Sequence, residues 1–210
     1  MNYIDVLGHP ATLLVLSSIL SGSIGAYFGG WMAVSHDQKR LRKTTEAFYS
    51  EFYFRSRFLK GWMKALCEEF NNPVRRKRSG YLEFDLGLVE TYLKDMILLG
   101  GLLSQDQRFF INNISLRMDT IKREEEKRNE RIKVNDEYLY VINKKDTAYL
   151  IRYVGETIYY IEKFYKERKD FKFDDDRLTK DQVKSGIDMS GVVLSDKDFN
   201  ELLDLSRLND

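Results

Sequence analysis

Few side chains in this sequence have the types and spacing that catalysis requires. His9 and His36 lie at opposite ends of a long uncharged segment, so they are not expected to share a site. Cys67 has no histidine nearby in sequence, which favours an inert, partly buried thiol over a nucleophile. Neither a GxxxxGKS/T nor a GxGxxG motif occurs. We therefore expect a protein that is not an enzyme and has no cofactor; an enzyme that uses only carboxylates is the alternative.

The cluster that most resembles a metal site is the run Asp174, Asp175 and Asp176. Adjacent carboxylates suit a hard cation, but Arg177 and Leu178 follow and no glycine provides the sharp turn of a calcium loop. A solvated loop or helix cap is the simpler interpretation. The single cysteine excludes an intramolecular disulfide and CxxC zinc sites. The sequence therefore predicts no metal site.

Two basic clusters lie in the N-terminal part of the chain. They consist of Lys39, Arg40, Arg42 and Lys43, and of Arg75, Arg76, Lys77 and Arg78. The whole chain has 34 Lys and Arg against 33 Asp and Glu, which argues against nucleic acid as a partner. Anionic headgroups attract cations near a membrane, so we expect both clusters to contact anionic lipid. Residues 170–210 carry eleven acids and six bases, and this acidic segment is a competing intramolecular partner.

An uncharged segment of 24 residues, 11–34, is the strongest sign of a specific element. As an α-helix it would extend roughly 36 Å, more than the roughly 30 Å hydrocarbon core of a bilayer. Tyr27, Phe28 and Trp31 suit a membrane interface at its far end. A buried core helix and a signal peptide are the alternatives, but residues 1–9 contain no Lys or Arg and the uncharged run is long for a signal peptide. The cations that follow the segment predict an external N-terminus and a cytoplasmic C-terminus.

Small residues occupy one flank of this predicted span. They form two adjacent ridges with a spacing of four residues: Ser17, Ser21, Gly25 and Gly29, and Ser18, Gly22, Ala26 and Gly30. A flank without side-chain bulk allows another helix to approach closely. We expect Ser21, Gly22, Gly25, Ala26, Gly29 and Gly30 to pack against a second copy or another membrane protein; a Gly- and Ser-rich anchor is the alternative.

Helical periodicity dominates the rest of the chain, which contains only two prolines. We predict helices over residues 44–70, 81–99, from 104 past 121, and over 146–169, with a last short helix capped by Ser195 and ending near Leu205. Residues 122–133 contain six bases and four acids, which predicts a solvated helical end. Residues 138–142 are compatible with a strand or a helix.

The predicted fold class is all-α: a single transmembrane helix followed by a cytoplasmic antiparallel helical bundle and a short irregular C-terminal region. The segments are residues 1–10 outside the membrane, 11–34 within it, a basic juxtamembrane stretch 35–43, the bundle 44–169 and the acidic segment 170–210.

This organisation favours a binding protein, a scaffold, adaptor or regulator at the cytoplasmic face of a plasma membrane. The expected partners are membrane lipid and a second copy or another membrane protein. Compactness and the lack of long low-complexity tails favour a bacterial or phage source and a bacterial inner membrane. The alternative is a membrane-acting effector that forms a pore or perturbs the bilayer.

Overall fold

The chain is mostly helical, as expected for the all-α class. The computed structural model describes residues 10–78, 80, 87–173 and 178–206, with side chains from Ser18 onward except that of Ile19. The helices and strands of these residues are α1 Pro10–Asn71, β1 Val74–Arg75, α2 Gly87–Leu98, α3 Gln105–Arg131, β2 Lys133–Val134, β3 Tyr140–Val141, α4 Lys144–Glu167, α5 Lys180–Asp188 and α6 Asp196–Ser206. A short 3₁₀ turn, Arg168–Asp170, follows α4.

Local capping determines where several helices begin. At the start of α3, the Ser104 hydroxyl accepts from the Gln107 backbone N–H at 3.2 Å, and the Gln107 side chain accepts from the Ser104 N–H at 2.8 Å. This reciprocal capping box confirms the predicted helix start. At the start of α6, the Ser195 hydroxyl accepts from the Asp198 N–H at 3.1 Å, which also confirms the predicted cap. Pro73 follows α1 and cannot continue the helix.

Helix α4 lies at the centre of the bundle and packs against α1, α3, α5 and α6. It runs antiparallel to α1, because Phe164 near its end contacts Phe48 at 6.0 Å between ring centroids, whereas Lys144 at its start lies over the Phe70 ring. Helix α3 also runs antiparallel to α4, since Arg117 pairs with Glu156 and Arg131 with Asp146. The outer helices therefore bury their apolar faces against one central helix.

Buried aromatic rings form the end of the core nearest residue 48. Phe52, Phe110, Phe164 and Phe171 are at most 1% exposed and contact one another. Trp62 lies in the same continuous core and is 6% exposed.

The C-terminal region is more regular than the sequence predicted. It contains two helices, α5 and α6, and both pack against α4. Helix α5 begins with a second capping box, formed by Thr179 and Gln182, but has only nine residues, too few for periodicity to identify it. Gly186 of α5 lies directly against the backbone of Gly155 in α4, and this close approach seats the short helix in the core.

The prediction of a solvated helical end over residues 122–133 was wrong for two of its charged residues. Glu125 and Arg128 of α3 are completely buried, on the same face as Ile121. Ile121, Glu125 and Arg128 follow one another at intervals of four and three residues, which places them on one helix face. On this face Arg128 pairs with Glu69 of α1. A charge count along the chain does not distinguish the two faces of a helix, which is why it failed here.

A small antiparallel sheet closes the end of the bundle farthest from residue 10. Its strand order is β1-β3-β2, with Val141 opposite both Val74 and Lys133. The ambiguous residues 138–142 therefore contain a strand, Tyr140–Val141. Each strand has only two residues, and the sheet connects the chain after α1 with the loop before α4.

Helix α1 is much longer than the bundle. Among its described side chains the first buried one is that of Phe48, and those of Ser18 and residues 20–34 are all exposed, so the N-terminal part of α1 projects from the bundle. We call residues 10–40 the arm. The uncharged segment, the first basic cluster and the first bundle helix therefore belong to one uninterrupted helix.

The predicted membrane span, residues 11–34, finds no support in the structure. Among the described residues, no helix combines the length and the apolar character needed to cross a membrane. From Ser18 onward the arm contains many glycines and serines, which contribute little apolar surface. The same small residues that suggest helix packing thus lower the mean hydropathy of this part of the segment.

Candidate functional site

The arm carries the largest set of exposed apolar side chains among the described residues. Seven of them are more than half exposed: Leu20, Ile24, Tyr27, Phe28, Trp31, Met32 and Val34. They occur on all sides of the helix, since every described arm residue from 20 to 34 is exposed. Large contiguous apolar surfaces are rare on monomeric soluble proteins, which makes the arm a candidate site for a protein partner or a lipid phase.

The small-residue flank of the arm is open. A Cβ atom added at Gly22, Gly25, Gly29 or Gly30 would meet no other described atom within 4 Å. The Ser21 hydroxyl donates to the Ser18 carbonyl oxygen at 3.1 Å, so it is satisfied within its own helix. A second helix backbone could therefore approach this flank without steric hindrance, and the predicted packing role of these residues stays a prediction.

The first basic cluster lies where the arm joins the bundle. Its four cations line a shallow depression together with His36 and Glu46. Glu46 accepts from the Arg168 guanidinium at 2.6 Å, and this hydrogen bond lowers the pKa of its carboxyl group, helped by the charges of Arg168 and Arg42. Since Arg168 neutralises Glu46, the positive charge of the cluster is preserved at the end of the bundle that faces the arm.

The structure does not bring the two basic clusters together. Lys43 ends the first cluster and Asn71 ends α1, so the run that begins at Arg75 lies about 40 Å farther along the helix axis. There Arg75 pairs with Glu68 at 3.2 Å, and Arg78 donates to Asn129 at 3.1 Å. Both clusters could contact one flat bilayer only if α1 lay along its surface.

Sequence analysis missed the leucines that surround the Gly100–Gly101 break between α2 and α3. A Cβ atom added to Gly101 would stand 3.0 Å from a methyl carbon of Leu41 in α1, so this connection lies beside the first basic cluster. Leu98 and Leu102 are 83% and 87% exposed. The sequence signal is a pair of leucines on each side of the two glycines, whereas the prediction only ended a helix at residue 99.

The residues considered for chemistry are not arranged as an active site. Burial raises the pKa of Cys67 to about 12, and its sulfur lies 3.8 Å from the sulfur of Met63. His36 lies on the exposed arm near Asp37, whereas His9 and Asp174–Asp176 lie outside the described residues. In the part of the chain that the structure describes, no group of three His, Cys, Asp or Glu side chains could hold a metal ion.

The acidic C-terminal segment uses part of its charge within the bundle. Asp196 pairs with Lys184 at 2.7 Å, and Glu201 pairs with Lys144 at 2.6 Å. These two carboxylates are therefore paired with cations of α4 and α5 and not with a residue of either basic cluster.

The chain matches no protein-family model, no curated protein and no solved structure.

Proposed function

We propose that this protein is a membrane-attached helical binding protein, a scaffold, adaptor or regulator at the cytoplasmic face of a plasma membrane. The observation that carries the proposal is the arm, an exposed apolar helix. It continues without interruption into a bundle that has its own hydrophobic core. The first basic cluster follows the apolar residues, which is the order expected where a helix leaves the anionic cytoplasmic leaflet. In this proposal the uncharged segment, residues 11–34, enters the bilayer.

Vesicle flotation of the full chain tests the attachment. We expect binding to vesicles of phosphatidylethanolamine with phosphatidylglycerol, and about tenfold or greater loss on changing Ile24 and Phe28 to Ser, since each contributes roughly 1.5–3 kcal/mol when buried. The matched control changes Leu116 and Val193, which are 64% and 89% exposed on the bundle, to Ser. Equal binding by the two double variants would overturn the proposal.

Neutralising the basic clusters tests how α1 is oriented relative to the bilayer. Changing Arg40 and Arg42 to Gln should weaken binding to anionic vesicles and leave binding to phosphatidylcholine unchanged. Changing Arg76 and Lys77 to Gln removes the same charge about 40 Å away along α1. If the arm enters the bilayer upright, only the first pair matters; if both pairs matter equally, α1 lies along the surface.

The expected protein partner is a second copy or another membrane protein that packs on the small-residue flank. Changing Gly25 and Gly29 to Leu would fill this flank while keeping the arm apolar, so membrane binding should persist and association should fall. The control changes Ser23 and Tyr27 to Leu, because two residues turn a helix by about 200° and place these positions on the opposite face. Association can be measured by crosslinking in vesicles and by affinity capture from solubilised membranes.

A membrane-acting effector is the second candidate function. The observation in its favour is the same open flank, since glycine-mediated packing of several arms would assemble a helical oligomer in the bilayer. Release of a trapped dye from the anionic vesicles, abolished by the Gly25 and Gly29 changes, would support the effector. Tight binding without dye release would favour the scaffold.

A further inference from the structure

The connection between α2 and α3 presents apolar side chains to solvent. Leu98 is 83% exposed, Leu102 is 87% exposed and Ile97 is 56% exposed. Gly100 adopts a positive φ of 81°, a conformation that glycine tolerates without strain, and it reverses the chain between the leucines. We call residues 97–103 the leucine loop.

The leucine loop points toward the arm. Helix α2 runs antiparallel to α1, since Tyr92 lies beside Ala47 and Arg57, whereas Gly101 lies beside Leu41. A Cβ atom added to Gly101 would stand 3.0 Å from a Leu41 methyl carbon. The chain therefore approaches the projecting end of α1 as it enters the loop.

The position of Leu41 sets the depth of the loop relative to the arm. Leu41 follows Val34, the last residue of the uncharged segment, by seven positions, or about 10 Å along the helix. The headgroup region adds roughly 5–8 Å on each side of the hydrocarbon core. Leucine side chains that extend from this level toward the arm would reach the headgroups when the segment inserts as far as Val34.

Cations surround the loop. Arg40 and Arg42 flank Leu41, and Arg108 lines the same groove as Ile97 and Leu102. Two carboxylates of the neighbouring elements have cationic partners: Asp106 lies 3.6 Å from the Lys172 ammonium group, and Glu46 pairs with Arg168. An apolar projection beside cations is complementary to an anionic bilayer, whose surface presents negative charge above an apolar interior.

We propose that Ile97, Leu98 and Leu102 form a second membrane contact, which inserts among the headgroups of an anionic bilayer and fixes the orientation of the bundle beneath it. This inference rests on the proposed membrane attachment through the arm. Two contacts prevent the bundle from rotating freely about α1, so one defined face of the bundle is presented to its partner.

An environment-sensitive fluorophore on an introduced cysteine tests the contact in the full chain. Cys67 is buried, which makes labelling selective for an introduced exposed thiol. Labels are placed one at a time through Leu102→Cys in the loop, Phe28→Cys in the arm and Val193→Cys, a control residue that is 89% exposed. Each protein is measured in buffer, with phosphatidylcholine vesicles and with vesicles that also contain phosphatidylglycerol.

We expect the labels at positions 28 and 102 to shift to shorter wavelength with anionic vesicles, whereas the label at 193 stays unchanged. A shift at 28 without one at 102 overturns the loop contact and leaves the arm as the attachment. No shift at either position overturns both proposals. An equal shift at 102 and 193, or a shift at 102 in buffer that grows with protein concentration, also overturns the loop contact, because it indicates nonspecific adsorption or a second copy.

Partition of a second variant checks the same contact without a label. Changing Leu98 and Leu102 to Ser should lower binding to anionic vesicles about tenfold, as expected for two partly buried leucines. The Leu116 and Val193 double change to Ser again serves as the control. Unchanged binding by the loop variant, with normal binding by the parent chain, counts against the contact.

Discussion

The Arg128 guanidinium lies 2.6 Å from the Glu69 carboxylate, and neither side chain is exposed to solvent. The same guanidinium donates to Glu125 at 2.9 Å. Arg128 thus lies between two buried carboxylates and connects α3 to α1, which are separated by 59 residues at this pair. Burial raises the pKa of the Glu125 carboxyl group, although the neighbouring Arg128 opposes the change.

Replacing Arg128 with Met is expected to destabilise the protein strongly. The change preserves much of the side-chain volume but leaves two carboxylates buried without their cation, and breaking a buried pair in this way costs about 3–5 kcal/mol. Urea denaturation of the parent chain and the variant measures the loss. Arg123→Met is the control on the exposed side of α3, with an expected change within about 0.5 kcal/mol. Equal midpoints for the two variants would refute a structural role for the buried cluster.

Replacing each of the two tryptophans with alanine should change the free energy of unfolding by different amounts, because one lies in the core and the other on the arm. Trp62 is 6% exposed, so Trp62→Ala should lower the free energy of unfolding by about 3–5 kcal/mol. Trp31 is 62% exposed on the arm, and Trp31→Ala should leave this quantity within about 0.5 kcal/mol. Chemical denaturation followed by circular dichroism provides the comparison. A Trp62→Ala variant as stable as Trp31→Ala would contradict the observed core.

Two glycines should respond to alanine in opposite directions. A Cβ atom at Gly186 would collide with the carbonyl oxygen of Gly155, so Gly186→Ala should cost about 1–3 kcal/mol or more as α5 moves away from α4. A Cβ atom at Gly61 meets no described atom within 4 Å, and Gly61→Ala should stabilise α1 by about 0.5–1 kcal/mol. Thermal unfolding of both variants shows whether each change raises or lowers the stability. Stabilisation by Gly186→Ala would mean that the two helices do not approach so closely.

The thiol of Cys67 should make stability depend on alkaline pH. Its pKa is raised from the ordinary 9.0 to about 12 because burial disfavours the thiolate. The contribution of this thiol to the free energy of unfolding is therefore fully present below pH 9 and is lost as the pH rises through the folded pKa. Over this range the free energy of unfolding falls by up to about 1.4 kcal/mol per pH unit.

The Cys67→Ala variant isolates this effect from other alkaline titrations. Above pH 9 the unfolding free energy of the parent chain should fall more steeply than that of the variant, measured by urea titration at a series of pH values. Below pH 9 the difference between the two proteins should be constant. Parallel curves throughout would show that the thiol ionises in the folded protein as readily as in the unfolded one.

Much of the helical architecture could be predicted because it depends on neighbouring residues. Ser104 and Gln107 begin a helix through hydrogen bonds between residues three positions apart. Pro73 ends a helix because proline has no backbone N–H to donate. The helical and apolar character of the arm also follows from sequence, because its uncharged run depends only on consecutive residues. Helical spacing alone places Trp62 on the apolar face of its helix, and the structure buries it.

Tertiary structure decided the features that depend on distant partners. Tyr140 and Val141 form a strand because Val74 and Arg75, more than sixty residues earlier, pair with them. Helix α5 is too short to be stable alone and is held by the Gly155–Gly186 contact.

The electrostatic features divide in the same way. The basic clusters are visible in sequence, but their separation of about 40 Å follows from the uninterrupted helix between them. Arg128 and Glu125 were expected in solvent because charge favours hydration; their burial became favourable only when Glu69 was brought to the same face. Composition specifies the charge of a segment, whereas its burial is determined by which helix face meets which partner.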